Sequence, residues 1–394
     1  MEALMTAYRQ WAERPADERF WTLDDMRDAC HGYYGRAAEA RVMVDELRVE
    51  ARDDDLRLLG KNGAPAQLSH YAFGQLCSRA HAPASYLREL PATLTAQNLN
   101  NGLKRAEPGI GANLLFHRHE DDLGLTVRAA LSGRYERVWN WEFVDKLQST
   151  LGGSWRPPPG RPAPQGDARA RPATEEDCLK RRNTVLAIHP GTMIGPSGLY
   201  ASDRDMFAFL IDEDHVINDG TDDGLVRGLM FWNSEVGDKK IGGLAFLFKA
   251  VCGNHIVMGV NNLLQWGTVH VGRAREKAWL QLDVMARSYA QSSVSTEAGQ
   301  IGAARTMELG KDKEATVKRL ADYAARRRIG GVSKERLEAA YDAAERHEHW
   351  YGTTPNTVWG MVQGYTEAAA TNAKHADVRV QQERVAGKLM EIAF

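Results

Sequence analysis

Two His-x-His pairs, His117/His119 and His347/His349, are the first side chains in this sequence to consider for metal chemistry. On a strand, residues i and i+2 share a face, so His117 and His119 could reach one ion with Glu120 or Asp121 beside them. A helix does not align i and i+2, which leaves His347 and His349 as poorer ligands. A run of carboxylates, Asp203, Asp205, Asp212, Glu213, Asp214, Asp219, Asp222 and Asp223, could add oxygen ligands for a hard cation. His117, His119, Asp203 and Asp205 together define one reading, a metal-dependent nuclease or hydrolase. The competing reading puts the same acids in solvated turns, where Asp satisfies nearby backbone. No catalytic residue, cofactor or metal is assigned on this basis; His117 and His119 stand as metal candidates only.

A second chemistry comes from charge and rings on β-like segments. Between Leu225 and Arg275 six basic residues (Arg227, Lys239, Lys240, Lys249, Arg273, Arg275) face two acidic ones (Glu235, Asp238), and Phe231, Trp232, Asn233, Phe246 and Phe248 are interleaved with them. Upstream, Arg128, Arg134, Tyr135 and Arg137 precede Trp139, Asn140 and Trp141. Cations that track a backbone and flat rings that stack on bases are the two components of a single-strand binding groove. The expected nucleic-acid-binding set is therefore Arg128, Arg134, Tyr135, Trp139, Arg227, Trp232, Asn233, Lys239, Lys240 and Lys249. Set against this, strand aromatics commonly form core and strand-end cations are commonly solvated. Asn233, Ser234 and Glu235 of WNSEVG, Asn254 and His255 of CGNH, and Ser132, Arg134 and Tyr135 of SGRY could either line the groove or satisfy turn backbones.

The rest of the composition excludes classes. The 394 residues carry 50 Lys+Arg and 52 Asp+Glu, a formal charge of −2, so no global basic field exists and any charge-driven binding is local. No GxxxxGK[ST], HExxH or GxSxG occurs, and Gly109-Ile110-Gly111 lacks the third glycine of a dinucleotide fingerprint. Cys30, Cys77, Cys178 and Cys252 form no CxxC pair and read as reduced thiols. No apolar run reaches the roughly 18–20 residues of a membrane span, and the opening residues lack the layout of a signal peptide, so a cytoplasmic protein without a membrane partner is expected.

The elements that must position these groups are legible in outline. Thr22 and Asp25 form a capping-box-like start to a helix from Met26 to Ala40. Strand-like stretches around Val42–Val49 and Leu56–Leu59 flank the polar turn Asp53-Asp54-Asp55, and Asn62-Gly63 is a further turn signal. Ser69 caps a helix from His70 to Arg79, and Pro83 and Pro91 open two more, the second continuing to Arg105. Ala112–His117 and Leu123–Leu131 read as a hairpin, followed by a helix with Asn140 as its N-cap. The stretch Gly152–Pro172, with six prolines and four glycines, reads as an exposed linker or loop. Met206–Ile211, Leu225–Trp232, Leu244–Cys252 and His255–Val260 suggest an antiparallel meander, and from about Gly272 the pattern is helical, with Ser333 capping one helix.

The expected fold class is α+β: an antiparallel β region of hairpins and a meander, with flanking helices and a helical C-terminal region. The expected divisions are 1–40 (N-terminal helical segment), 41–151 (hairpin and helix), 152–173 (Pro/Gly-rich linker), 174–271 (meander) and 272–394 (helical).

Several stretches resemble the phage/plasmid-like family built on domain of unknown function 932: LSHYAFGQLCSRAHAPASYLRELP from Leu68, VRAALSGRYERVWNWEFVDKL from Val127, ASDRDMFAFL from Ala201, RGLMFWNSEVGDKKIGGLAFLFKAVCGNHIVMG from Arg227 and NTVWGMVQGYTEAAATNA from Asn356. The resemblance runs from about Thr22 to the C-terminus and omits the Pro-rich insert. It implies a protein of mobile genetic elements, whose needs are replication, recombination and resistance to host defence. By loose analogy with phage single-strand annealing proteins, it implies a single-stranded DNA partner and a homo-oligomer, without nucleotide hydrolysis. Besides the nuclease, an interaction protein that blocks a host factor is the remaining alternative.

Overall fold

A computed structural model describes residues 14–60, 65–119, 124–163, 165–179, 188–218, 224–248, 265–291, 293–372 and 385–393. In chain order the elements are β1 (Arg19–Phe20), α1 (Leu23–Gly35), β2 (Ala37–Met43), β3 (Arg48–Arg52), β4 (Asp55–Leu59), β5 (Pro65–Leu68), α2 (His70–Arg79), α3 (Ala84–Arg88), α4 (Ala92–Lys104), β6 (Gly111–Arg118) and β7 (Leu125–Ser132). There follow α5 (Asn140–Leu151), β8 (Trp155–Arg156), β9 (Arg161–Pro162), β10 (Arg171–Pro172), α6 (Glu175–Leu179), β11 (Met193–Gly195), β12 (Leu199–Ala201), β13 (Asp205–Ile217), β14 (Leu225–Ser234), β15 (Ile241–Phe248) and β16 (Gln265–Thr268). The C-terminal helices are α7 (Ala274–Met285), α8 (Ser295–Thr306), α9 (Lys313–Arg326), α10 (Lys334–Arg346), α11 (Glu348–Tyr351) and α12 (Val358–Asn372). The class is α+β, as expected.

Local chemistry sets many of the boundaries. Thr22, Ser69 and Ser333 each accept a backbone N–H three residues on, from Asp25, Ala72 and Arg336, and so satisfy one orphan donor at the starts of α1, α2 and α10. Asp53 and Asp54 both have positive φ (50° and 60°), the backbone of a two-residue hairpin turn joining β3 to β4. The Asn62-Gly63 turn and the His255–Val260 strand lie outside the described residues, as does Cys252.

Two large sheets result. The first has the order β2-β6-β7-β5-β4-β3, with only β5–β7 parallel, and α2 and α4 pack on one face through Leu76, Leu99, Leu103, Leu114 and Val127. The second has the order β1-β12-β13-β14-β15-β16, with β8 paired to β13. Its strands are buried on both faces. Met206, Ala208, Leu210, Leu229 and Phe231 face α1, α5 and α7, whereas Phe207, Phe209, Met230, Trp232 and Phe246 form a separate aromatic cluster opposite.

Three expectations are corrected here. Gly152–Pro172 is not simply an exposed linker: Trp155 enters the core, β9 and β10 flank β11 in a small sheet, and Ser197 Oγ donates to the carbonyls of Pro158 and Pro159. An apolar indole and paired backbone anchor the segment despite its composition. The N-terminal helical stretch includes β1, which pairs with β12, and its helix ends at Gly35 with β2 running on to Met43. Asn140 is the first residue of α5 rather than its cap. The cap position is Trp139, whose N–H donates to Glu142 Oε2 at 3.4 Å, while Asn140 Oδ1 is drawn away to accept from Asn233 Nδ2 at 2.8 Å.

Candidate nucleic-acid interface

The seam between the two sheets starts from a β-bulge. β6 pairs with β7 as Leu115↔Ala129 and then Phe116↔Val127, so Arg128 is the extra residue. A bulge re-aims the inserted side chain, and Arg128, 2% exposed, crosses to the second sheet, where its Nη2 donates to Glu235 Oε2 at 3.0 Å. Asp203 Oδ2 lies 3.6 Å from Arg128 Nε. Glu235 Oε1 accepts the Asn140 N–H at 2.8 Å, and the Glu235 carbonyl accepts from Arg137 Nη1. Arg137 Nε donates to Glu39 Oε1 at 2.8 Å. The carboxylate of one sheet thus holds the guanidinium of the other and the start of α5.

The expected binding residues divide sharply. Arg227 is 1% exposed; Nη2 donates to both oxygens of Glu297 (2.9 and 2.8 Å) and Nη1 to the Tyr289 carbonyl, so it ties the second sheet to the C-terminal helices. Trp232, 4% exposed, packs over Gly242, where an added Cβ would lie 2.5 Å from the indole. Asn233 is fully buried and donates to Val138 O and Asn140 Oδ1. Lys239 is ion-paired to Asp205 (2.9 Å) and to Asp238. Tyr135 is half-buried, with its hydroxyl donating to Ser234 O at 2.9 Å, and burial raises its pKa. Lys240 and Arg134 are exposed, Trp139 is half-exposed, and Lys249 lies outside the described residues, as do Asn254 and His255. The expectation of one continuous exposed track is therefore corrected: Arg128, Arg227, Trp232 and Asn233 are interior, and the three polar ones are claimed by partners distant in sequence. Ser234 also serves the backbone, its Oγ donating to Arg204 O and accepting from the N–H groups of Val236 and Asp238.

The metal candidates are likewise separated in role. His119 Nε2 is 2.8 Å from Thr126 Oγ1, while His117 faces the seam, its pKa lowered by burial and by the charges of Arg128 and Arg36. Asp205 is held between Arg14, Lys239 and Ser202; burial opposes its charge, but the two cations outweigh burial and keep its pKa low. Asp212 Oδ2 pairs with His215, and His347 Nε2 with Glu367. Among the described residues, no group of three or more His, Cys, Asp or Glu side chains is arranged to hold a metal ion.

What the structure does bring together at the surface is a different set of rings. Tyr34, 39% exposed at the end of α1, meets Trp139 edge-on at 4.8 Å and Trp141 at 5.7 Å, and His31 meets Trp141 at 5.4 Å. Arg137 lies over Trp139 (5.4 Å), Arg36 over Tyr33 (5.7 Å), and exposed Arg134 lies five residues before Trp139 in the chain. His31 and Tyr34 share a helix face at i, i+3. Sequence reasoning found Trp139 and Arg134 but missed His31, Tyr34 and Arg36; the HGYYGR string at the end of a helix was the available signal.

Comparison with protein-family models, curated proteins and solved structures returned no match for this chain.

Proposed function

We propose that this protein binds single-stranded nucleic acid, single-stranded DNA in the setting of a mobile element, by stacking bases on the Tyr34–Trp139–Trp141 surface beside the seam. The observation that supports this reading is that Tyr34, 39% exposed, meets both Trp139 and Trp141 at the surface, whereas most of the other large aromatics among the described residues are buried. Edge-on packing among the rings and the guanidinium over Trp139 fix their planes, so little side-chain entropy is lost when a base arrives. Stacking contributes about 1–3 kcal/mol per base, which two or three bases turn into useful affinity without a strongly basic surface. Arg134 and Arg36 supply the phosphate contacts. This reading explains how a chain of charge −2 could hold a polyanion, and it needs no hydrolytic step. The interaction-protein alternative draws on the same rings but lacks an identified partner surface.

The test is tryptophan quenching by an oligothymidylate at a series of salt concentrations. Binding at about 50 mM salt, with log K falling as salt rises at about 0.7 per phosphate contact, is expected. Tyr34→Ala with Trp141→Ala weakens binding at least tenfold, and Arg134→Ala lowers the salt slope. No binding at 50 mM salt, or a double variant that binds as the parent does, refutes the proposal.

A further inference from the structure

Strand β2 is an open edge, and we infer that it pairs with β2 of a second copy of this chain to form a two-fold dimer. This inference is independent of the nucleic-acid reading. Among the described residues, β2 has one strand neighbour, β6, on one side only. The phase of that ladder identifies which groups are unused. Arg118 N–H donates to Arg36 O and Val44 N–H to Ile110 O, so in the register Ala37↔His117 to Met43↔Gly111 the even-numbered residues bond to β6. The N–H and C=O groups of Ala37, Glu39, Arg41 and Met43 therefore point outward.

The opposite edge of the same sheet shows what a closed edge looks like in this protein. On β3, the Asn100 side chain accepts the Val49 N–H at 2.8 Å and donates to the Val49 carbonyl at 2.7 Å, standing in for a neighbouring strand. Among the described residues, the end strands of the second sheet, β1 and β16, are two and four residues long. β2 has seven residues, with no proline and no lysine, so two of the devices that discourage edge pairing are missing, and its only charges are one of each sign, Glu39 and Arg41.

Charge selects both the occupant and the register. Two antiparallel copies of β2 must place odd residues opposite odd ones to use the outward groups. Centring on Glu39 sets Glu against Glu, and centring on Arg41 sets Arg against Arg. Centring on Ala40 sets Glu39, which keeps one carboxylate oxygen on Arg137 and is 40% exposed at its side chain, opposite Arg41 of the second copy twice over, and Ala37 opposite Met43, which is 44% exposed in the single chain. Opposite charges directly across a ladder attract and like charges repel, so the self-pairing is complementary in one register only. The result is a continuous twelve-stranded sheet, six strands from each copy. The two Ala37 residues would lie six strand positions apart, about 20 Å, so each copy's Tyr34 surface flanks the shared strands.

The experiment is sedimentation equilibrium of the full chain without nucleic acid, for the parent, Glu39→Arg, Arg41→Glu, and an equimolar mixture of the two variants. The parent is expected to dimerise. Each variant alone has two like-charge pairs and should dissociate with a constant raised on the order of 10- to 100-fold. The mixture has two opposite-charge pairs per dimer and should recover the parent's affinity, which a folding defect would not. Arg41→Pro, which removes an outward N–H together with the guanidinium that faces Glu39, should also abolish pairing. A parent that stays monomeric at tens of micromolar, a dimer indifferent to both charge changes, or a mixture that fails to recover overturns the inference.

Discussion

Acid should destabilise this protein through His270, and the size of the effect follows from its surroundings. The imidazole is 2% exposed, stacked on Tyr135 with ring centroids 5.0 Å apart, and its Nδ1 lies 3.2 Å from the Glu136 carbonyl, to which it donates. Burial pushes its pKa from an ordinary 6.5 down to about 4; the Arg137 charge adds to the shift, and the bond to Glu136 opposes it. Because the folded-state value is the lower one, the unfolded chain binds the proton more readily. Stability is therefore complete above pH 6.5 and falls as the pH drops toward 4. Between pH 7.5 and 4.5 the linkage amounts to roughly 2–3 kcal/mol. His270→Phe keeps the ring stack and removes the titration, at a cost of about 1 kcal/mol for the lost hydrogen bond. Urea unfolding of both proteins at pH 7.5 and 4.5 should show the parent losing roughly 2–3 kcal/mol more than the variant over that interval. Other titrating groups, His117 among them, act in both proteins and cancel. Parallel pH profiles would refute the reasoning.

Two further predictions concern packing at and near the seam. Arg128→Met strands the buried Glu235 carboxylate and should cost about 3–5 kcal/mol; adding Glu235→Gln, whose amide oxygen can still accept the Asn140 N–H, should return most of that loss in chemical denaturation. Gly242→Ala places a Cβ 2.5 Å from the Trp232 indole and 2.6 Å from the Trp266 carbonyl, a clash with backbone that should destabilise by about 1–3 kcal/mol. A near-neutral unfolding midpoint for this variant would show that β15 can shift to make room.

Local chemistry was legible and long-range pairing was not. Thr22, Ser69 and Ser333 were readable as caps because a cap involves residues three apart. The Asp53-Asp54 turn and the apolar runs of β13 and β14 were readable for the same reason. The local charge surplus between Leu225 and Arg275 was misleading because its neutralising partners lie elsewhere: Glu297 is 70 residues from Arg227, and Asp205 is 34 from Lys239. Arg128 was hidden by the bulge, since counting by twos along β7 gives no warning that one residue is inserted. Trp232 read as a stacking ring because of the flanking charges, although β14 is the near-continuous apolar run of a strand buried on both faces. The Pro-rich segment misled through composition, which does not register one Trp155 entering the core.

The same seam explains why the exposed rings sit where they do. Glu235 receives Arg128 from the first sheet and the Asn140 N–H from α5, and its carbonyl receives Arg137. Arg137 in turn lies under Trp139 and reaches Glu39 on β2. A buried charge pair rarely adds much net stability over apolar packing, but it penalises every arrangement that leaves either charge alone. Here that penalty fixes three things together: the spacing of the two sheets, the start of α5 that carries Trp141, and the plane of Trp139 against Tyr34. Rings held in this way keep their mutual geometry whether or not a ligand is present. On the proposed function, loosening the seam should therefore weaken stacking even though no seam residue touches a base.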